Sequence, residues 1–187
     1  MISDHLLVFA MKEESQDVFD DYNLLHTGIG KVNAAHALMS RINRVRPSII
    51  VNLGTAGSRK HSGGTIINCT SFIQRDMDVR ALGFELFQTP FSSDPLKIEY
   101  GRRIENLPEG LCGTGDNFAS CESADPFDVV DMEAYALALI CKREEIPFLC
   151  LKYVSDGANG ESNASWNDSL HRTAKALKTI LENIPHE

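Results

Sequence analysis

No run of about 18 apolar residues occurs anywhere in the sequence, so no segment reads as a membrane-spanning helix. Basic residues never run longer than a pair, and 18 Lys and Arg against 26 Asp and Glu leave a formal charge of −8. That balance excludes a nucleic-acid surface and an anionic membrane as partners. No C-x-x-C, no H-E-x-x-H and no other tight cluster of His and Cys is present, so no metal site is expected. The start, Met1-Ile-Ser-Asp-His5, lacks the basic opening and small-residue cleavage site of a secretory signal, and the expected location is the cytoplasm. Neither an internal repeat nor a low-complexity linker divides the 187 residues, which gives one domain over 1–187.

Hydrophobic residues make up 43% of the chain. Short β-prone apolar runs at 6–11, 24–27, 49–53, 65–73 and 148–154 alternate with stretches of helical period at 31–44, 132–144 and 166–183. This alternation is that of an α/β fold with a largely buried sheet. In the first helix Val32, Ala35, Leu38, Met39 and Ile42 recur at spacings of three and four, which makes one face able to pack on a sheet. Residues 88–110, with three prolines and no clear period, read as loop, as do 157–166. Cys69, Cys112, Cys121, Cys141 and Cys150 are odd in number and widely spaced, and read as reduced thiols. His36 and His171 read as helix-surface or packing residues, and none of the six histidines is assigned chemistry.

Gly28-Ile-Gly-Lys31 follows a strand and opens a helix, where backbone N–H groups can approach a ligand. A dinucleotide fingerprint would place a third glycine at Asn33 and an acid where Asn52 and Leu53 stand, and a P-loop would need Ser or Thr at Val32. Gly54-Thr-Ala-Gly57 brings small residues and a hydroxyl to a strand's carboxyl end, where open α/β sheets bind ligands, although taken alone it reads first as a tight strand-to-loop turn. Four carboxylates follow strands: Glu13, Glu14, Glu133 and Asp156. Each has a structural role available, at a helix amino terminus or in a turn. In a parallel sheet, however, loops of this kind gather on one edge, which brings such groups together.

Ala10-Met-Lys-Glu-Glu14, Gly28-Ile-Gly-Lys-Val32, Asn52-Leu-Gly-Thr-Ala-Gly57, Gly115-Asp-Asn-Phe118, Val130-Asp-Met-Glu-Ala134 and Val154-Ser-Asp156 keep a common order across residues 6–160. With these motifs the chain resembles the 5′-methylthioadenosine/S-adenosylhomocysteine nucleosidases of the purine nucleoside phosphorylase and uridine phosphorylase superfamily. The resemblance implies a three-layer α/β/α nucleoside phosphorylase-like fold with a mixed central sheet. It also implies cofactor-free cleavage of the N-glycosidic bond of an adenine nucleoside. Asp156 is then the acid that protonates purine N7 and Glu14 the base that takes a proton from water. Glu133 receives the ribose hydroxyls, Met132 packs on the sugar, and Phe118 stacks on adenine with the backbone of Ala119 at its edge. Thr55, Gly57 and Ser155 line the pocket, and Ile29 flanks the 5′ substituent. For Met132 and Phe118, ordinary core packing is the competing role.

The chain departs from the family in several places. The stretch between Glu14 and Gly28 is too short for a hairpin usual there, so the sheet is shortened near the amino terminus. Ala119, Thr55 and Lys12 replace a larger aliphatic residue, Ser and an acid, and Arg80 puts charge near the 5′ side. Asn52 stands where phosphate-dependent members carry an Arg, which favours water over phosphate as nucleophile. The alternatives are a phosphorylase, a futalosine-type hydrolase and a non-catalytic nucleoside-binding relative. The resemblance further implies a homodimer in which residues 76–90, with Val79 and Leu82, reach the neighbouring subunit's pocket. Covering the subunit's own core is the other role open to that segment.

Overall fold

The computed structural model describes residues 4–119, 126–155 and 163–184. Strands β1 (His5–Phe9), β2 (Leu24–His26), β3 (Ile49–Ala56), β4 (Ile66–Gln74), β5 (Lys97–Glu99), β6 (Glu109–Thr114), β7 (Val129–Asp131) and β8 (Phe148–Val154) form one eight-stranded sheet. Helices α1 (Lys12–Ser15), α2 (Lys31–Ile42), α3 (Ala134–Arg143) and α4 (Asn163–Glu182) are accompanied by a 3₁₀ turn at Arg80–Leu82.

Successive side chains of a strand point to opposite faces, and here both faces are covered. Leu6, Val8, Ile50, Phe148 and Cys150 pack with Ala34 and Leu38 of α2 and Ala138 of α3. Their neighbours Leu7, Phe9, Val51, Leu149 and Leu151 pack with Ala174 and Leu177 of α4. The largely apolar runs seen in the sequence are the consequence of this double burial. The result is the three-layer α/β/α arrangement.

The sheet is mixed, in the order β2-β1-β3-β8-β4-β6-β7, with β5 beside β4. Strands β2, β1, β3 and β8 are mutually parallel, and so are β4, β6 and β7, but β8 meets β4 antiparallel. This is the mixed sheet that the resemblance implied, in two halves of opposite sense, so the loops after its strands do not all share one edge. Residues 16–23 form turns and lead directly into the edge strand β2, so no hairpin lies between α1 and β2.

Several boundaries differ from those read in the sequence. The stretch 88–110 contains β5 and the start of β6, because Ile98 is fully buried against β4 even though its flanking prolines hide the pattern. β3 runs on to Ala56 through the Gly54 turn, held along its length by β8. α4 starts at Asn163, inside the stretch read as loop, while residues 156–162 lie outside the described ones.

Gly113 of β6 illustrates how tightly the second half is built. A Cβ there would stand 2.5 Å from Cγ of Phe127, whose ring is buried against Phe87. Gly113→Ala is expected to destabilise the fold by about 1–3 kcal/mol through overpacking. Urea unfolding should show this as a lower midpoint at unchanged slope.

Candidate active site

Glu14 lies in the one-turn helix α1 immediately after β1 and is only 4% exposed. Its Oε1 accepts from the Thr55 backbone N–H and the Thr55 hydroxyl, both at 2.9 Å, and Oε2 accepts from Met11 N at 3.3 Å. Gly54 makes this possible: a Cβ there would stand 3.1 Å from Oε1. Two bonds saturate Oε1, whereas Oε2 has one long bond and keeps room to accept from a water.

The tail of β3 and strand β7 come together although they belong to opposite halves of the sheet. Gly57 N donates to Val130 O at 3.0 Å and Val130 N to Gly57 O at 2.8 Å, an antiparallel bridge. Beyond Val130 the chain thus runs back along β3 toward Thr55 and Gly54, carrying Asp131, Met132 and Glu133. Glu133 caps α3, is 7% exposed, and accepts from Gly30 N at 2.8 Å through Oε1. Burial and the nearby Asp131 push its carboxyl up to about 7, against the opposing influence of Lys152 and the Gly30 N–H, while Glu14 adds to the rise. Met132, which stands between Asp131 and Glu133 in the sequence, is half-buried.

Asp131 and Lys152 form an ion pair of 2.8 Å with side chains 1% and 3% exposed. Burial would raise the Asp131 carboxyl, but Lys152 and the hydrogen bonds from Thr114 Oγ1 and Ala134 N together hold it below its ordinary value. Burial would likewise lower Lys152, yet Asp131 holds it well above the usual lysine range. Both groups are charged. Sequence reading passed over this pair; the available signal was one Lys and one Asp set in otherwise apolar strands, Phe148–Val154 and Val129–Asp131.

A second polar network ties the loop after β6 to the loop before α2. Arg75, at the end of β4, donates to Asn117 Oδ1 at 2.6 Å and to the Asn117 carbonyl, and Asp76 accepts from Asp116 N at 2.8 Å. Lys31 pairs with Asp76 at 2.5 Å, while its backbone N–H donates to Asp116 Oδ1 at 2.8 Å. Arg75 and Asp76 carried no signal in the sequence beyond being charged.

The remaining sequence-derived residues fall around these groups. Ser155 N donates to Ala56 O at 3.1 Å, which fixes the end of β8 beside Thr55 and Gly57. Asp156 lies outside the described residues. Ile29 is 48% exposed, next to Gly30. Phe118 is 77% exposed, which removes core packing as its role, while Ala119 packs against Ile73, Phe127 and Val130. Leu82 is 72% exposed and Val79 half-buried, whereas Phe87 and Leu96 of the same region cover their own subunit's core. An open groove of about 680 Å³ at the amino ends of β6 and β8, lined by Thr70, Tyr100, Arg103 and Phe148 among others, includes none of these residues.

Residues 19–184 match the model of the Phosphorylase superfamily. The 5′-methylthioadenosine/S-adenosylhomocysteine nucleosidases of Bacillus thuringiensis (strain Al Hakam) and Bacillus anthracis are each 34% identical over 185 residues, covering 85% of this chain and 80% of the relative. Among solved structures, the Helicobacter pylori 5′-methylthioadenosine/S-adenosylhomocysteine nucleosidase bound to butyl-thio-DADMe-Immucillin-A has a TM-score of 0.82 at 22% identity, covering 98% of this chain and 100% of that one. A futalosine hydrolase mutant of the same organism has a TM-score of 0.78 at 21% identity, with the same coverage. At such identities the structures establish the fold, and the curated relatives carry the assignment further: the chain belongs to the Phosphorylase superfamily and, within it, to the 5′-methylthioadenosine/S-adenosylhomocysteine nucleosidase family.

Proposed function

We propose that the protein is a hydrolytic nucleosidase that splits an adenine nucleoside into adenine and the ribose product, with 5′-methylthioadenosine and S-adenosylhomocysteine as the substrate type. The observation that carries this reading is the pair of buried carboxylates. Glu14 is fixed by two Thr55 donors, and Glu133 is turned toward the same turn of β3 by the Gly57–Val130 bridge. The bond from ribose C1′ to purine N9 breaks as Asp156 delivers its proton to N7, and the water oxygen bonds to C1′ as Glu14 takes a proton from it. An acid and a base acting from opposite sides of the sugar carbon is the arrangement of inverting glycoside hydrolysis. Each transfer contributes on the order of 10² to 10⁴ in rate. Glu133 accepts from the ribose hydroxyls, Met132 packs on the sugar, Phe118 and Ala119 hold the base, and Thr55, Gly57 and Ser155 line the pocket. Ile29 flanks the 5′ group.

Water is the nucleophile because the position that would bind phosphate is already committed. Asn52 is 2% exposed and donates to Val8 O at 3.1 Å while accepting from Cys150 Sγ at 3.4 Å, so its amide cross-links β1, β3 and β8. Lys152, Lys31 and Arg75 are engaged by Asp131, Asp76 and Asn117 respectively. The same reading includes a cytoplasmic homodimer in which Val79 and Leu82 reach the neighbouring pocket. Four buried free cysteines support a reducing compartment, and the exposed Leu82, Phe91 and Phe118 support an apolar contact.

Incubation with adenosine, 5′-methylthioadenosine and S-adenosylhomocysteine should release adenine equally with and without phosphate; ribose 1-phosphate as the main product would contradict hydrolysis. Asp156→Asn and Glu14→Gln should each lower kcat by about 10²-fold or more, whereas Glu133→Gln should raise KM as well as lower kcat. Leu82→Asp should shift the sedimentation coefficient from dimer to monomer and reduce activity, although Leu82 is remote in sequence from both proposed catalytic carboxylates, Glu14 and Asp156.

A further inference from the structure

We infer that Lys152, which touches none of the reacting atoms in the scheme above, is the positioning residue of Glu133: by holding Asp131 it fixes the first turn of α3 and with it the carboxylate that receives the ribose. The inference rests on the nucleosidase reading for the identity of the ligand, and on geometry for the rest.

The Asp131 carboxylate does more than neutralise Lys152. Its Oδ2 accepts from Ala134 N and its Oδ1 from Thr114 Oγ1, and that hydroxyl in turn accepts from Tyr135 N, at 2.8, 2.6 and 2.9 Å. Ala134 and Tyr135 open α3, and Glu133 is the residue that caps it. The chain Lys152–Asp131–Thr114 therefore fastens the backbone from which Glu133 projects. On the other side, Lys152 pairs in register with Gly54, so the two share a face of the sheet, and it is over Gly54 that the Glu14 carboxylate sits. One cation thus underlies the meeting place of both acids.

A fully buried ion pair is a weak stabiliser, since its desolvation offsets most of the attraction, and apolar replacements are often neutral. Its value here lies in where it acts. The groups facing Glu133 are Asp131 on β7, Lys152 on β8, Glu14 on α1 and the Gly30 N–H ahead of α2. Of these, Lys152 is the one cation. An ionised carboxylate offers acceptor sites on both oxygens to two ribose hydroxyls, whereas protonation turns one of those oxygens into a donor. With Glu133 pushed up to about 7 by burial and Asp131, the Lys152 charge opposes that rise and favours the ionised form.

The test follows Glu133 by carbon-13 NMR in the free protein, assigned with Glu133→Gln, alongside calorimetric binding of a non-cleavable adenine C-nucleoside across neutral pH. Affinity in the unaltered protein should rise as pH increases through about 7, as Glu133 ionises. Lys152→Met should move both the NMR titration and the affinity rise to higher pH, by about one unit or tenfold in Kd at neutral pH. Lys152→Arg should restore both. If Lys152→Met alone does not fold, the double variant Lys152→Met/Asp131→Asn removes both charges; because Asp131 acts on Glu133 more strongly than Lys152 does, the titration should then move to lower pH. A Glu133 titration that stays in place in the variants that fold would overturn the inference. A titration that moves as expected, in a protein that binds no adenine C-nucleoside, would uphold the coupling and contradict the nucleosidase reading instead.

Discussion

Two backbone hydrogen bonds between Gly57 and Val130 are the constraint on which the site depends. The sheet changes sense where β8 meets β4, so the loops after β3 and after β7 would ordinarily leave from opposite edges. The antiparallel bridge turns the tail of β3 onto β7 and brings Thr55, which holds Glu14, alongside the turn that carries Glu133. Gly54 and Gly57 serve this contact differently. A side chain at Gly54 would occupy the place of the Glu14 carboxylate, and one at Gly57 would press on Val130 at 3.3 Å.

Burial then separates three acids by the partners each receives. Asp131 has a cation and two firm donors and stays charged; Glu14 has three donors from two residues; Glu133 has one backbone N–H and a neighbouring anion, and its carboxyl titrates near neutrality. Environments that push like groups apart are how one pocket assigns different duties to carboxylates. The proposed chemistry needs such a division between a group that accepts from water and one that accepts from ribose hydroxyls.

Much of this was legible in the sequence where a residue type has one economical explanation. The strands at 49–53 and 148–154 announced themselves as largely apolar runs, broken only by Asn52 and Lys152, because both faces are covered, and Glu14, Thr55 and Glu133 stood in motifs whose order survives in the fold. Strands β5, β6 and β7 were hidden. The first is three residues long between prolines, β6 contains two glycines, and β7 owes its strand character to neighbours distant in sequence. A mixed sheet followed from the resemblance, but where it reverses, at β8 and β4, was not legible in the residues, because strand sense is set by pairing and not by local composition. For the same reason the Asp131–Lys152 pair, 21 residues apart in the numbering, could not be read before the two strands were placed.

No hairpin lies between α1 and β2, where β2 pairs directly with β1 and residues 16–23 only bridge them. The most direct test of the account is a crystal structure with a non-cleavable adenine nucleoside. It should show both ribose hydroxyls on the Glu133 carboxylate, the Gly30 N–H bond retained, and a water between Glu14 Oε2 and C1′. A nucleoside seated elsewhere, such as the groove at the amino ends of β6 and β8, with Glu14 and Glu133 unoccupied, would contradict it.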